Sequence, residues 1–376
     1  MQPCVKSWWQ RLPAAIAWPR PGIRDAQGNH PGRNATVSES ESMRLGDLQE
    51  HTPVADAARR VLAVRLEAVR DCLDRALKTP KDRRKSIHAL RVATRRAAAA
   101  IDVFGGCLPR RVFKEARTSM RTLRRAVGAA RDWDVLLQQL AKRLKAAADS
   151  ERPAIDMLHG YALAHRIPAQ RRLEAACPDH PFGFDRLMAK CVAAVRDRTG
   201  APATFGSHVR PIVGQRVGRL DEHASGGDGD WARLHEVRIA GKRLRYTLEL
   251  VQDSFGGPLL TQLCPSLEQL QEILGQVNDS FNAVGLLRQI IEGITGCVPD
   301  TSDRYRHLLE QHAAEHEELM RQGREAYRMW LAAWNGTEMQ DALRTLCPDS
   351  GHRIAGKSYV AAPEPIDPAA PIRRTA

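Results

Sequence analysis

His88-Ala-Leu-Arg91-Val-Ala-Thr94-Arg95-Arg96 is answered later in the chain by His235-Glu-Val-Arg238-Ile-Ala-Gly241-Lys242-Arg243, the two histidines standing 147 positions apart. One such echo can arise by chance. Two more keep the same spacing: Val127-Gly128-Ala-Ala-Arg131-Asp132 with Leu274-Gly275-Gln-Val-Asn278-Asp279, and Leu73-Asp74 with Leu220-Asp221. Three matches at one offset mean a duplication. The halves run from about 52 to 198 and from about 199 to 335, within a single folded region spanning 52–335.

Outward from these strings the apolar residues keep a helical period. Leu62, Leu66, Val69, Leu73 and Leu77 form one stripe, and Ile87, Leu90, Ala97, Ile101 and Phe104 the next. Nothing comparable alternates with period two. Breaks at Thr79-Pro80, Gly105-Gly106, Pro178 to Gly183, Gly200 to Pro202, Gly226 to Gly229 and Gly256-Gly257-Pro258 cut the region into long helices with short connections. The expected fold is all-α: two antiparallel four-helix bundles, related by the internal duplication and packed about a pseudo-twofold axis. A duplicated helix would then face its copy across a shared groove.

The duplicated helix is basic. Residues three or four apart share one helix face, so Arg84, His88, Arg91 and Arg95 form a cationic row, as do His235, Arg238, Lys242 and Arg245. Each close like-charge pair opposes the helix by about 0.2–0.5 kcal/mol, so such a row implies an anion that offsets the repulsion. The next helix of the first half adds Arg117, Arg121, Arg124 and Arg131, with Gly128 in the gap. Glycine within a helix costs ~1 kcal/mol relative to alanine, which a close approach by a neighbouring helix or by a ligand would explain. From Lys81 to Arg131 there are 15 Lys or Arg against three acids, Asp82, Asp102 and Glu115. Arginine dominates, and its planar fork makes bidentate bonds to phosphate oxygens. The second half carries Glu268, Gln271 and Asn278 where the first has Arg121, Arg124 and Arg131, so binding is expected to lean towards the first half.

The rest of the chain narrows the choice of function. An excess of 57 Lys and Arg over 44 Asp and Glu, net +13, favours acidic partners. The eight cysteines are scattered without Cys-x-x-Cys spacing, which fits buried thiols in a reducing compartment and places the chain in the cytoplasm. No apolar run reaches the ~20 residues needed to cross a bilayer. Residues 1–50 and 349–376, rich in Pro, Gly and Ser, are expected to be disordered, and Met1 and Met43 both stand as candidate starts. His307, His312 and His316 are expected on a solvated helix face, not in a metal site. Asp132 and Asp279 are expected to cap or orient arginines, and Phe281 stands where the first half has Asp134.

The strings HALRVATRR, VGAARDWDV, LHEVRIAGKRLRYTLEL and LQEILGQVND together resemble the CHAD family, the conserved histidine alpha-helical domain. The resemblance implies two four-helix bundles with pseudo-twofold symmetry, a basic central surface, and binding of inorganic polyphosphate with association to polyphosphate granules. Carried over by motif position, the implied contacts are His88, Arg91, Arg95 and Arg96 in the first half and His235, Arg238, Lys242, Arg243 and Arg245 in the second. Members are sometimes fused to a triphosphate tunnel hydrolase whose strand opens Glu-x-Glu-x-Lys. Glu39-Ser-Glu41-Ser-Met43 has methionine at the lysine position. The expectation is therefore a binder without catalysis, cofactor or metal. A nucleic-acid binder is the alternative, but it expects aromatics interleaved with the charges, and only Phe104 and Phe113 lie between Lys81 and Arg131. A phosphohydrolase would need an acidic metal cluster or a Gly-rich phosphate loop. Metal chelation is disfavoured by the arginines around each histidine.

Overall fold

The structure, a computed structural model, describes residues 45, 48–78, 83–177, 180, 182–196, 204–227, 231–255 and 258–346. They form helices α1 (Val54–Lys78), α2 (Arg83–Val103), α3 (Arg110–Ala146), α4 (Arg152–Ala175) and α5 (Phe182–Ala193), with a short 3-10 turn at Gly105–Cys107. Then follow α6 (Phe205–Ala224), α7 (Trp231–Phe255), α8 (Pro258–Cys297), α9 (Pro299–Trp334) and α10 (Thr337–Leu346). Among the described residues there is no strand, and the all-α expectation holds. No described helix is long and apolar enough to cross a membrane.

The apolar stripes bury as their period requires. Leu62, Leu66 and Leu73 of α1 and Ile87, Leu90 and Ile101 of α2 are fully buried, each burial contributing about 1.5–3 kcal/mol before chain entropy is counted. Within residues 54–175, α1 packs on α2, α2 on α3 and α3 on α4; within 205–334, α6 packs on α7, α7 on α8 and α8 on α9. Contacts of α2 on α7, α4 on α9 and α1 on α6 join these runs. The central core draws on residues from both. A second cluster, Leu140, Ile155, Leu158, Leu287, Ile290 and Leu309, gathers the far ends of α3, α4, α8 and α9.

The starts of α1 and α6 are tied to each other. Phe205 N and Gly206 N donate to Thr52 O and Glu50 O, each at 2.8 Å, and Arg210 reaches the Glu50 carboxylate at 2.7 Å. Thr204 and Ser207 close a capping box over the first turn of α6, satisfying amides that otherwise lack partners.

Several expectations need amendment. Gly183 lies inside α5, whereas Thr79-Pro80, Gly200 to Pro202 and Gly256-Gly257 lie outside the described residues. The expected loose ends, 1–50 and 349–376, also lie outside them except for residues 45 and 48–50, of which Leu45 and Leu48 are buried in the core. His307 is exposed as expected, but His312 and His316 are not on a solvated face. His312 is buried, and His316 is half-buried with Nδ1 3.2 Å from Ser280 Oγ. Neighbouring helices cover this face, with Arg143 of α3 acting on both rings and Ser280 of α8 bonding His316.

At the α8–α9 seam a Cβ on Gly323 would lie 2.2 Å from Val277 Cγ2, so the two backbones approach closely there. Valine is stiff at χ1 and cannot swing aside. Gly323→Ala is expected to lower stability by about 1–3 kcal/mol despite alanine's better helix propensity, measured as the urea midpoint. A rise in the midpoint would contradict this packing.

Candidate polyanion-binding cleft

The contact between α2 and α7 brings the two basic rows together. Arg84, His88, Arg91 and Arg95 lie along α2, while His235, Arg238, Lys242 and Arg245 lie along α7. From α3 come Arg121, Arg124 and Arg131. Arg95 sits at the centre of the electrostatics, since its charge acts on Arg124 of α3 and on both Arg238 and Lys242 of α7.

The cluster resists its own charge. Burial, then the charges of Arg95, Arg238 and Arg91, pull the Lys242 ammonium down to about 6, against a weaker pull upward from Asp279. Burial lowers Arg238, Arg124 and Arg131 in the same direction. Further lowering comes from Arg95 and Arg91 at Arg238, from Arg95, Arg121 and Arg243 at Arg124, and from Arg91 and Arg84 at Arg131. His88 is likewise lowered by desolvation and by the charges of Arg131, Arg91 and Arg95. Among the described residues no carboxylate lies within 4.0 Å of the charged nitrogens of Arg84, Arg95, Arg121, Arg124, Arg131, Arg238, Lys242 or Arg243. Arg238 Nε is buried with no hydrogen-bond partner. Arg95, Arg131, Arg238 and Lys242 are partly buried and lose hydration without gaining an acceptor, which is costly unless a ligand supplies one.

Other candidates are committed elsewhere. Arg91 donates to Asp132 at 2.6 Å, and Asp132 is 71% exposed, so a stronger acceptor can displace it. Arg96 donates to Glu249 at 2.8 Å, and Arg245 shares that carboxylate at 3.2 Å while also reaching Gln271 at 3.0 Å. Arg96 thus ties α2 to α7 and Arg245 ties α7 to α8, and both line the cleft less freely than their motif positions imply. Arg117 lies out along α3, 3.6 Å from Asp102. His235 is exposed. Asp134 turns away and pairs with Arg166 at 2.7 Å.

Arg216 of α6 belongs to the region although no row in the sequence marks it. It donates to Arg243 O at 3.0 Å and is lowered by burial and by the Arg243 and Arg219 charges, against an upward pull from Asp102. The close helix approach expected at Gly128 is absent, since a Cβ there would meet nothing within 4 Å, and the same holds at Gly275. Gly241, by contrast, packs against Leu270, whose Cδ2 would lie 2.8 Å from an added Cβ. Among the described residues no group of three or more His, Cys, Asp or Glu could hold a metal ion.

A family model for the CHAD domain matches residues 54–288. The crystal structure of the CHAD domain from the plant Ricinus communis is similar over 76% of this chain and 94% of that one, with a TM-score of 0.58 and 24% identity. PptA from Streptomyces chartreusis is similar over 75% of this chain and 100% of that one, with a TM-score of 0.58 and 17% identity. No curated protein sequence matches the chain.

The depressed Lys242 has a measurable cost. Its folded value lies near 6 and its ordinary value is 10.5, so between those pH values the unfolded chain binds the extra proton. Stability therefore rises with pH across that window, and at neutral pH the lysine opposes folding. Lys242→Met is expected to raise stability at pH 7 by about 1–3 kcal/mol and to flatten its pH dependence from about 6 to 10. Urea midpoints taken across that range check it, and an unchanged slope would contradict the crowding of Lys242.

Proposed function

The chain belongs to the CHAD domain family, and from that premise we propose that it binds inorganic polyphosphate in the cleft between α2, α3 and α7, without catalysing a reaction on it. The observation that carries this reading is the group of cations around Arg95, in which, among the described residues, no carboxylate lies within 4.0 Å of Arg95, Arg124, Arg131, Arg238 or Lys242. A linear polyanion offers closely spaced phosphate oxygens to several arginine forks at once, and its condensed counterions are released on binding. The ligand contacts are Arg84, His88, Arg91, Arg95, Arg121, Arg124, Arg131, His235, Arg238, Lys242 and Arg243. Arg96, Arg117 and Arg245 flank them. Arg131 and Arg124, on either side of the bare Gly128 backbone, let the chain pass close to α3.

The proposed architecture is a duplicated one, with repeats at 52–198 and 199–335 forming two four-helix bundles about a pseudo-twofold axis. It is supported by helix starts that keep the sequence offset: Arg152 of α4 and Pro299 of α9 stand 147 positions apart, as do the matched motifs. The proposed setting is cytoplasmic, on polyphosphate granules. Nucleic acid is the second reading, and the sparse aromatics of the cleft argue against it, because single strands bind largely by base stacking.

Titration with polyphosphate, beside orthophosphate and single-stranded DNA, tests the proposal. Micromolar or tighter binding is expected for polyphosphate alone, weakening by roughly 10³-fold between about 50 and 200 mM salt. Arg95→Glu with Arg238→Glu is expected to abolish binding while the helical circular dichroism stays unchanged. Binding that survives both substitutions would place the ligand on another face, and equal affinity for DNA would remove the selectivity.

A further inference from the structure

Between α1, α3 and α5 lies a cavity of about 600 Å³, lined among others by Leu73, Ser119, Leu123, His180, Gly183 and Leu187. It lies apart from the cationic cleft, and its volume is that of a small-molecule site. Moving each of these six residues on by 147 positions gives Leu220, Ser266, Leu270, Tyr327, Trp330 and Trp334. There the space is filled. Tyr327, Trp330 and Trp334 are fully buried and stack in series, with centroids 5.9 and 5.1 Å apart. The Trp330 indole Nε1 donates to Ser266 O at 2.9 Å and to Ser266 Oγ at 3.1 Å, and Trp334 Nε1 donates to Asp221 at 2.7 Å.

In the first half Gly183, the counterpart of Trp330 at this offset, lines the cavity together with Ser119. Asp74, the counterpart of Asp221, accepts from His180 Nε2 and from Lys78 Nζ at 3.1 Å. The His180 side chain is only 5% exposed, and its Nδ1 is buried with no partner. With Nε2 donating to Asp74, Nδ1 of a neutral ring is a free acceptor. Burial pushes the Cys177 thiol, also on the wall, up to about 11, so it adds no charge.

We propose that this cavity is a binding site for a small planar aromatic with a ring N–H, an indole or similar heteroaromatic, seated as Trp330 is seated in the second half. The ring lies against Leu73 and Leu123, and the N–H is shared between Ser119 and His180 Nδ1. The inference rests on the duplicated architecture proposed above, though not on polyphosphate as ligand.

Calorimetric titration of the full chain with indole and with 1-methylindole tests it. Saturable one-to-one binding of indole is expected, with 1-methylindole roughly fivefold to tenfold weaker because it lacks the donor. Ser119→Ala is expected to erase that difference. Gly183→Trp fills the space from within and is expected to abolish indole binding while polyphosphate binding stays as in the wild type. Absence of saturation in the wild type would overturn the site, as would indole binding left unchanged by both substitutions. If Gly183→Trp instead lowers the melting temperature while Ser119→Ala still weakens indole, the site stands and only the equivalence of the two halves fails.

Discussion

Confinement of like charge is the constraint on which the rest of the molecule depends. Arg95, Arg124, Arg131, Arg238 and Lys242 repel one another across three helices, and burial denies them full hydration. A helix pair bearing such rows would separate unless held. Two features hold it. Glu249 gathers Arg96 and Arg245 at the α2–α7 contact, and the starts of α1 and α6 are tied through Thr52, Glu50, Phe205 and Gly206. Around them a continuous apolar core makes opening costly. The repulsion is thereby retained in the folded state, where the proposed anion would relieve it.

In the proposed duplicated architecture, the two halves use a common plan for different ends. In the second, Tyr327, Trp330 and Trp334 close the space between α6, α8 and α9 with aromatic area and satisfied indole donors. In the first, α4 ends at Ala175, and the separate helix α5 presents Gly183 and Leu187 in place of those rings. The first half therefore carries a cavity where its copy carries a core. The cationic row of α3 shows a matching divergence, for Gln271 and Glu268 of α8 hold Arg245 where Arg124 and Arg121 of α3 stand uncompensated.

Much of this was legible in the sequence, because duplication repeats the signal. The apolar periods placed α1 and α2, and the echo of His88 in His235 marked the helices that meet. What escaped was decided by contacts between distant segments. Glu249 is legible as an i+4 partner of Arg245, but its bond to Arg96 exists only once α2 and α7 are side by side. His312 is polar within an otherwise ordinary amphipathic helix, and its burial beside Arg143 of α3 appears only in the packed molecule. Arg216 has no row of its own and joins the cleft through the Arg243 carbonyl. Gly128 is expected from the sequence to be a place of close approach, and no neighbouring helix comes near it. The histidines that head each motif sit among the arginines without a metal-binding set around them.

The central claim is that an outside anion completes the charge balance of this cleft, and proton uptake tests it most directly. A polyanion seated beside Lys242 must raise its affinity for protons from the present value near 6, so binding at pH 7.5 draws a proton from the buffer. Calorimetric titration with polyphosphate in two buffers of different ionisation enthalpy should give different heats, corresponding to uptake of up to about one proton per site, and Lys242→Met should remove the difference. Identical heats in both buffers for a tightly binding wild type would contradict the account, because the ligand would then be bound away from the crowded cations.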